Sequence, residues 1–150
     1  MYLPLLIIHN LFRWVALGIL SYSIYRSAWG YRRQSSFSKG DNAFRHWTAT
    51  ALQIQMMVGF VLYFNSPFVS SYWNNSGSEG ESFFFPVVHL TLMFLAVTII
   101  SIGSAMAKRQ PTDHQKYKVM LIWFSVGLLI ILIAVPWPFS PLAQRPFLRW

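Results

Sequence analysis

The chain of 150 residues contains no cysteine. Disulfide bonds, cysteine-ligated zinc, iron–sulfur clusters and covalently attached c-type haem are therefore excluded. Charged residues are also scarce, at 11% of the chain, whereas soluble domains contain about 25%. Only four residues are acidic. None of them lies within a long apolar run, which excludes a relay of carboxylates across a membrane.

Apolar side chains dominate the composition instead: 55% of the residues are hydrophobic and 18% are aromatic. Such a chain cannot cover itself with polar surface, so a lipid bilayer is its natural solvent and first expected partner. The net charge of +8 raises the possibility of nucleic-acid binding. However, the Lys and Arg residues lie in the short gaps between apolar runs, a pattern typical of membrane topology signals. We therefore expect no nucleic-acid partner.

Four apolar runs have the length of membrane spans, and they cover about residues 3–25, 46–64, 85–107 and 114–135. Each is close to the roughly 20 residues that cross a hydrocarbon core. Backbone groups in lipid must pair within their own segment, so all four runs are predicted to be α-helices. The fold class predicted is a single all-α domain, an up-and-down bundle of four transmembrane helices.

The distribution of basic residues predicts the orientation. Nine Lys or Arg residues flank the two connections at residues 26–45 and 108–118, whereas the opposite side carries only Arg145 and Arg149. By the positive-inside rule, both termini are predicted to lie outside the cytoplasm. The Ser-, Asn- and Gly-rich segment 66–81 is predicted to be a flexible outer loop. The tail 136–150 is predicted to follow the membrane surface. Tyr117 is predicted to lie in the aromatic belt at the inner membrane–water interface.

Two histidines are predicted to share a depth in the membrane. His9 lies about six residues into the first span and His89 a few residues into the third, so both lie within roughly two turns of the outer edge. In an up-and-down bundle these two helices are diagonal, roughly 12–14 Å apart. That spacing suits two imidazoles that meet a flat macrocycle from opposite sides. The pattern predicts one b-type haem between His9 and His89.

Small residues follow each histidine at intervals of two helical turns. Ala16 follows His9 and Ala96 follows His89, and each stripe continues with one more small residue, Ser23 or Gly103. Small residues leave room for a bound ring, but they also mediate ordinary helix packing in membranes.

Polar and polarisable side chains inside the spans complete the predicted site. Arg13 lies one turn from His9, and a buried arginine needs an anionic partner such as a haem propionate. Met93 lies one turn from His89. Gln53 and Gln55 are predicted either to bond across helices or to line a pocket of quinone size.

The other two histidines, His46 and His114, open the second and fourth helices at the inner edge. These helices form the other diagonal, so the pair is a weaker candidate for a second haem site. Neither residue heads a stripe of small residues, and Thr112 or Asp113 caps a helix start beside His114. Interfacial hydrogen bonding is the simpler interpretation.

The sequence resembles a group of small bacterial four-helix inner-membrane proteins labelled "cytochrome B". The resemblance spans nearly the whole chain and rests on the order and spacing of the following pieces: His9-x3-Arg13-Trp14, Gly40-Asp41-Asn42, Gln55-x3-Gly59-x2-Leu62-Tyr63-Phe64 with Ser66-Pro67, His89-x3-Met93, Lys108-Arg109, and Ile133-x2-Pro136-Trp137-Pro138. It implies a bacterial inner-membrane location and a haem role for His9, Arg13 and His89. Gln53 stands where the family pattern has a histidine, and His46 and His114 match no family position.

The sequence therefore predicts a b-type cytochrome with a haem near the outer face, which passes electrons between a quinol or redox partner and an acceptor. Ligation by two histidines leaves the iron no open position, which favours electron transfer over oxygen chemistry. The alternative is a cofactor-free accessory subunit of a larger respiratory or photosynthetic membrane complex. A transporter has little support, because no repeat or broken helix is evident.

Overall fold

A computed structural model describes residues 2–74 and 83–139, and all regular structure in these ranges is helical. The helices are α1 (Tyr2–Arg33), α2 (Lys39–Phe64), the short α3 (Pro67–Asn74), α4 (Phe84–Lys108) and α5 (Asp113–Ala134). Within the described residues, four of the five are long and apolar enough to cross a membrane. The all-α class and the four candidate spans are thus confirmed. Glu79, Glu81 and the tail beyond Phe139 lie outside the described residues.

The helices extend beyond the apolar runs on the basic side. α1 continues to Arg33, and α2 begins at Lys39, well before His46. A capping box sets the start of α2: the Ser38 hydroxyl accepts the backbone N–H of Asp41 at 3.1 Å, and the Asp41 carboxylate accepts the backbone N–H of Ser38 at 3.0 Å. Hydropathy marks where a helix crosses lipid, whereas local capping decides where the helix begins.

The first half of the predicted outer loop contains a helix. Pro67 occupies the first position of α3, where its missing N–H costs no hydrogen bond. The helix that follows this connection begins irregularly. Its first turns, Phe84–His89, form a π-helix instead of an α-helix. π-helical turns are rare in proteins, and those that occur are often found at functional sites. His89 is the last residue of this segment.

The four long helices form a ring of neighbours. α1 packs against α2 and α5, and α4 packs against the same two helices, so α1 and α4 lie diagonally across the bundle. Leu20, Ile100 and Phe124 fill the shared core and are fully buried. Large apolar side chains cover the outside, including Val15, Ile54, Leu95 and Leu129. An apolar exterior of this kind suits contact with lipid.

Buried polar contacts close the end of the bundle that carries the α1–α2 and α4–α5 connections, which we call the clamped end. An Arg26 Nη donates to an Asp41 carboxylate oxygen at 2.7 Å, and the Tyr117 hydroxyl donates to the other oxygen at 2.8 Å. Gly30 leaves space for the Tyr117 ring, since a Cβ there would overlap it. The prediction that Tyr117 lies in the inner aromatic belt is wrong, because the residue is only 1% exposed.

Candidate functional site

The opposite end of the bundle, which we call the cavity end, holds a cavity of about 180 Å³. It opens between α1, α2 and α4, and Phe68 and Val69 of α3 close its rim. Five residues of the predicted site line it: His9, Arg13, Ala16, His89 and Met93. The structure therefore brings residues from two diagonal helices to one space.

Ala96, the sixth residue of the predicted site, does not line the cavity. It is fully buried, and its backbone oxygen lies 3.5 Å from where a Cβ on Gly127 of α5 would stand. Farther along the same stripe, a Cβ on Gly103 would overlap Trp123. This stripe serves close packing between α4 and α5, which was the alternative interpretation of the small residues.

The His9 and His89 rings are neighbours across the diagonal of the bundle. Their centroids are 6.5 Å apart, and their planes cross at 74°. Two imidazoles that bind one metal ion from opposite sides, each at about 2 Å, hold their centroids roughly 6–6.5 Å apart. Their planes can take any angle about the axis through the metal. The distance between the two rings therefore suits a single metal centre between them.

The Nδ1 atom of His89 lies 2.8 Å from the backbone oxygen of Ala134. A carbonyl oxygen only accepts, so this geometry puts the proton on Nδ1 and leaves the lone pair on Nε2. The carbonyl is open because its normal helical donor would be the N–H of residue 138, which is Pro138. Histidines that bind metals typically donate their other N–H to a carbonyl in this way.

A second proline frees another backbone oxygen in the neighbouring turn of α5. Pro136 removes the helical donor to the Leu132 oxygen, and the indole N–H of Trp137 donates to that oxygen at 2.7 Å. The Pro136-Trp137-Pro138 sequence thus ends α5 and frees two carbonyls. One of them fixes the tautomer of His89. The spacing of the two prolines is the sequence signal that could have identified this contact.

His9 is held on its other side by α2. A Cβ on Gly59 would stand 3.2 Å from Cε1 of the His9 ring and 3.7 Å from Nδ1, so only glycine leaves the ring its full space. Gln55 donates its Nε2 to the backbone oxygen of His9 at 2.8 Å. Among the described residues, neither His9 Nδ1 nor Gln55 Oε1 has a hydrogen-bond partner, although both are buried. The Nδ1 atom of His9 and the Oε1 atom of Gln55 thus remain able to form hydrogen bonds with a ligand.

Arg13 supplies the charge of the cavity. Its side chain is half-buried, and its guanidinium carbon lies 5.2 Å from the centroid of the Trp14 ring. The guanidinium is always positive and binds carboxylates in a bidentate fork. A cavity that offers two imidazoles and one guanidinium matches a ligand with a metal centre and an acidic substituent.

The structure does not bring His46 and His114 together. His46 is exposed, with its ring 5.5 Å from that of Trp47, whereas His114 stacks on Tyr31 of α1 at 4.2 Å. Gln53 reaches Ser101 of α4 at 3.0 Å on the outside of the bundle. Within residues 2–74 and 83–139, no group of three or more His, Asp or Glu side chains could hold a metal ion.

Comparisons with known proteins add no family to this picture: the chain matches no protein-family model, and no curated protein or solved structure is significantly similar to it.

Proposed function

We propose that the chain is a membrane-embedded b-type cytochrome that holds one haem between His9 and His89. The observation that carries the proposal is the approach of the two rings to 6.5 Å inside one cavity. The contact between His89 Nδ1 and the Ala134 oxygen supports it, because it leaves Nε2 available for iron. The absence of cysteine restricts the haem to a non-covalent, b-type attachment.

A bound haem would supply reversible one-electron chemistry. His9 and His89 would both bind the iron, which would leave no open position for oxygen and so restrict the group to electron transfer. Arg13 would hold a propionate near the cavity wall by charge-assisted hydrogen bonds. Gln55 fixes the backbone of His9, and α3 covers the cavity rim against water.

The size of the cavity limits how the group is seated. A volume of about 180 Å³ is below the roughly 300–1,000 Å³ of pockets for drug-sized ligands. Side chains that line the cavity would therefore have to move to admit a porphyrin between the two imidazoles. Met56 and Met93 both line the cavity, and methionine adapts to such changes more readily than branched residues do.

An absorption spectrum tests the proposal. Protein purified in detergent from haem-replete cells is expected to show a Soret band and an α-band that sharpens on reduction. His9→Ala and His89→Ala are each expected to abolish both bands, whereas His46→Ala, at an exposed site, leaves them unchanged. A colourless, folded wild-type protein would overturn the proposal and favour the accessory-subunit alternative.

We further propose a bacterial inner membrane as the location, with both termini outside the cytoplasm and other membrane-protein subunits or a quinol as redox partners. The charge asymmetry between the two sets of connections supports this orientation. The chain has no native cysteine, so single substitutions report topology cleanly. In intact spheroplasts, an impermeant thiol reagent is expected to label Asn74→Cys and to spare Arg109→Cys. The reverse labelling pattern would contradict the orientation.

A further inference from the structure

A second cavity, of about 260 Å³, lies at the clamped end, and most of its lining is basic or polar. It is lined by Phe37, Ser38, Lys39, Asn42, Lys108 and Lys116. These residues come from the α1–α2 connection, the first turn of α2, the end of α4 and the first turn of α5. Three lysines from three helices therefore converge on one opening, far from the histidine pair.

The hydrogen-bonding groups around this opening are mostly donors. Lys116 is paired with Asp113 at 3.0 Å, whereas Lys39 and Lys108 have no carboxylate within salt-bridge distance in the part of the chain that the structure describes. Asn42 accepts from Arg45 Nε through its Oδ1 at 3.0 Å, which turns its NH2 group away from that contact. Three ammonium groups and an amide NH2 match a phosphate, whose oxygens are all acceptors.

The nearby carboxylates do not neutralise the opening. Asp41 is already engaged by Arg26, Tyr117 and Ser38. Asp113 offsets one of the three lysine charges, and the two that remain favour an anion.

The position of the opening favours a lipid as the source of the phosphate. Lys108 ends α4, a helix long and apolar enough to cross a membrane, and Lys39 begins α2, another such helix. The opening therefore lies at the end of two candidate spans, where lipid headgroups meet a membrane protein. Phe37 adds an apolar wall, with Lys116 Nζ 5.5 Å from its ring centroid. We propose that this opening binds the phosphate of an anionic phospholipid, with Lys39 and Lys108 as its main contacts.

The proposal is tested by lipid titration of the purified full chain in an uncharged detergent, with bound lipid counted by native mass spectrometry. The variant carries Lys39→Gln and Lys108→Gln, and the matched control carries Arg109→Gln and Lys118→Gln. All four side chains are exposed and lie at the same end, and both variants lose two positive charges. The probes are phosphatidylglycerol, phosphatidylcholine and inorganic phosphate.

Each lysine near an anionic surface contributes about a fivefold change in affinity. The Lys39/Lys108 variant is therefore expected to bind phosphatidylglycerol roughly 25-fold more weakly. The control, whose two charges do not line the opening, is expected to lose several-fold less affinity, and added salt is expected to weaken binding. Equal losses in the two variants, or equal binding of phosphatidylcholine, would overturn the proposal. Displacement of the lipid by millimolar inorganic phosphate would reassign the opening to free phosphate.

Discussion

The two ends of the bundle use buried polar groups differently. At the clamped end, most of them join helices: Asp41 accepts from Arg26, Tyr117 and Ser38, and Arg45 Nη1 donates to the Ser104 hydroxyl at 2.7 Å, while Ser35 Oγ and His114 Nδ1 are buried without partners among the described residues. At the cavity end, the described residues leave His9 Nδ1 and Gln55 Oε1 buried without partners beside an open cavity.

This difference indicates how the molecule divides its tasks. The hydrogen-bonded network of the clamped end ties α1, α2, α4 and α5 together. At the cavity end, the two groups without partners lie beside imidazoles that line a cavity, and each such group costs about 1–3 kcal/mol of stability. We expect substitutions at the clamped end to change stability and those at the cavity end to change binding of the proposed haem.

The largest expected effect is on stability at the clamped end. Asp41→Leu removes the acceptor shared by Arg26, Tyr117 and Ser38, and we expect the free energy of unfolding to fall by about 2–4 kcal/mol. Unfolding in mixed detergent micelles measures the loss, and the haem content of the folded fraction is expected to stay constant. Asp113→Leu is the control, because its carboxylate is more exposed and has a single ion pair. A stable Asp41→Leu protein that has lost its haem would reverse the assignment of the two ends.

A smaller effect is expected from crowding at the cavity end. Gly59→Val places methyl groups against the His9 ring, and overpacking of this kind costs about 1–3 kcal/mol. We expect haem binding to weaken by about 5- to 150-fold, measured by pyridine haemochrome content and haem transfer to apomyoglobin. In the control Gly18→Val, the new side chain points to open space, since a Cβ on Gly18 meets nothing within 4 Å. If both variants lose haem equally, contact with His9 is not the cause.

The smallest expected effect concerns the orientation of His9. Gln55→Met removes the donor to the His9 backbone oxygen, a bond that contributes about 0.5–1.5 kcal/mol. We expect a shifted midpoint potential and an altered electron paramagnetic resonance spectrum of the haem, because the imidazole would settle at a new angle. Gln53→Met removes a comparable bond, to Ser101, outside the cavity. It is expected to leave both signals unchanged, and an equal response in the two variants would assign Gln55 a purely structural role.

The sequence predicted the four candidate spans and the diagonal placement of α1 and α4, because apolar length and short connections depend only on local composition. It also named His9, Arg13, Ala16, His89 and Met93, all of which line one cavity. It did not predict α3 within the outer loop, the burial of Tyr117, or the position of Ala96 against α5. These depend on which neighbour each helix face meets, and periodicity along one helix carries no information about the neighbour.

By itself, the sequence determined that the chain is helical and fitted to a bilayer, since a chain so poor in charge has too little polar surface for water. It also placed an imidazole near the same end of two opposite helices. Tertiary structure alone decided that these rings meet at 6.5 Å, that Gly59 leaves space for one of them, and that the Ala134 carbonyl orients the other. These contacts join residues far apart in the chain, so they exist only once the helices have packed.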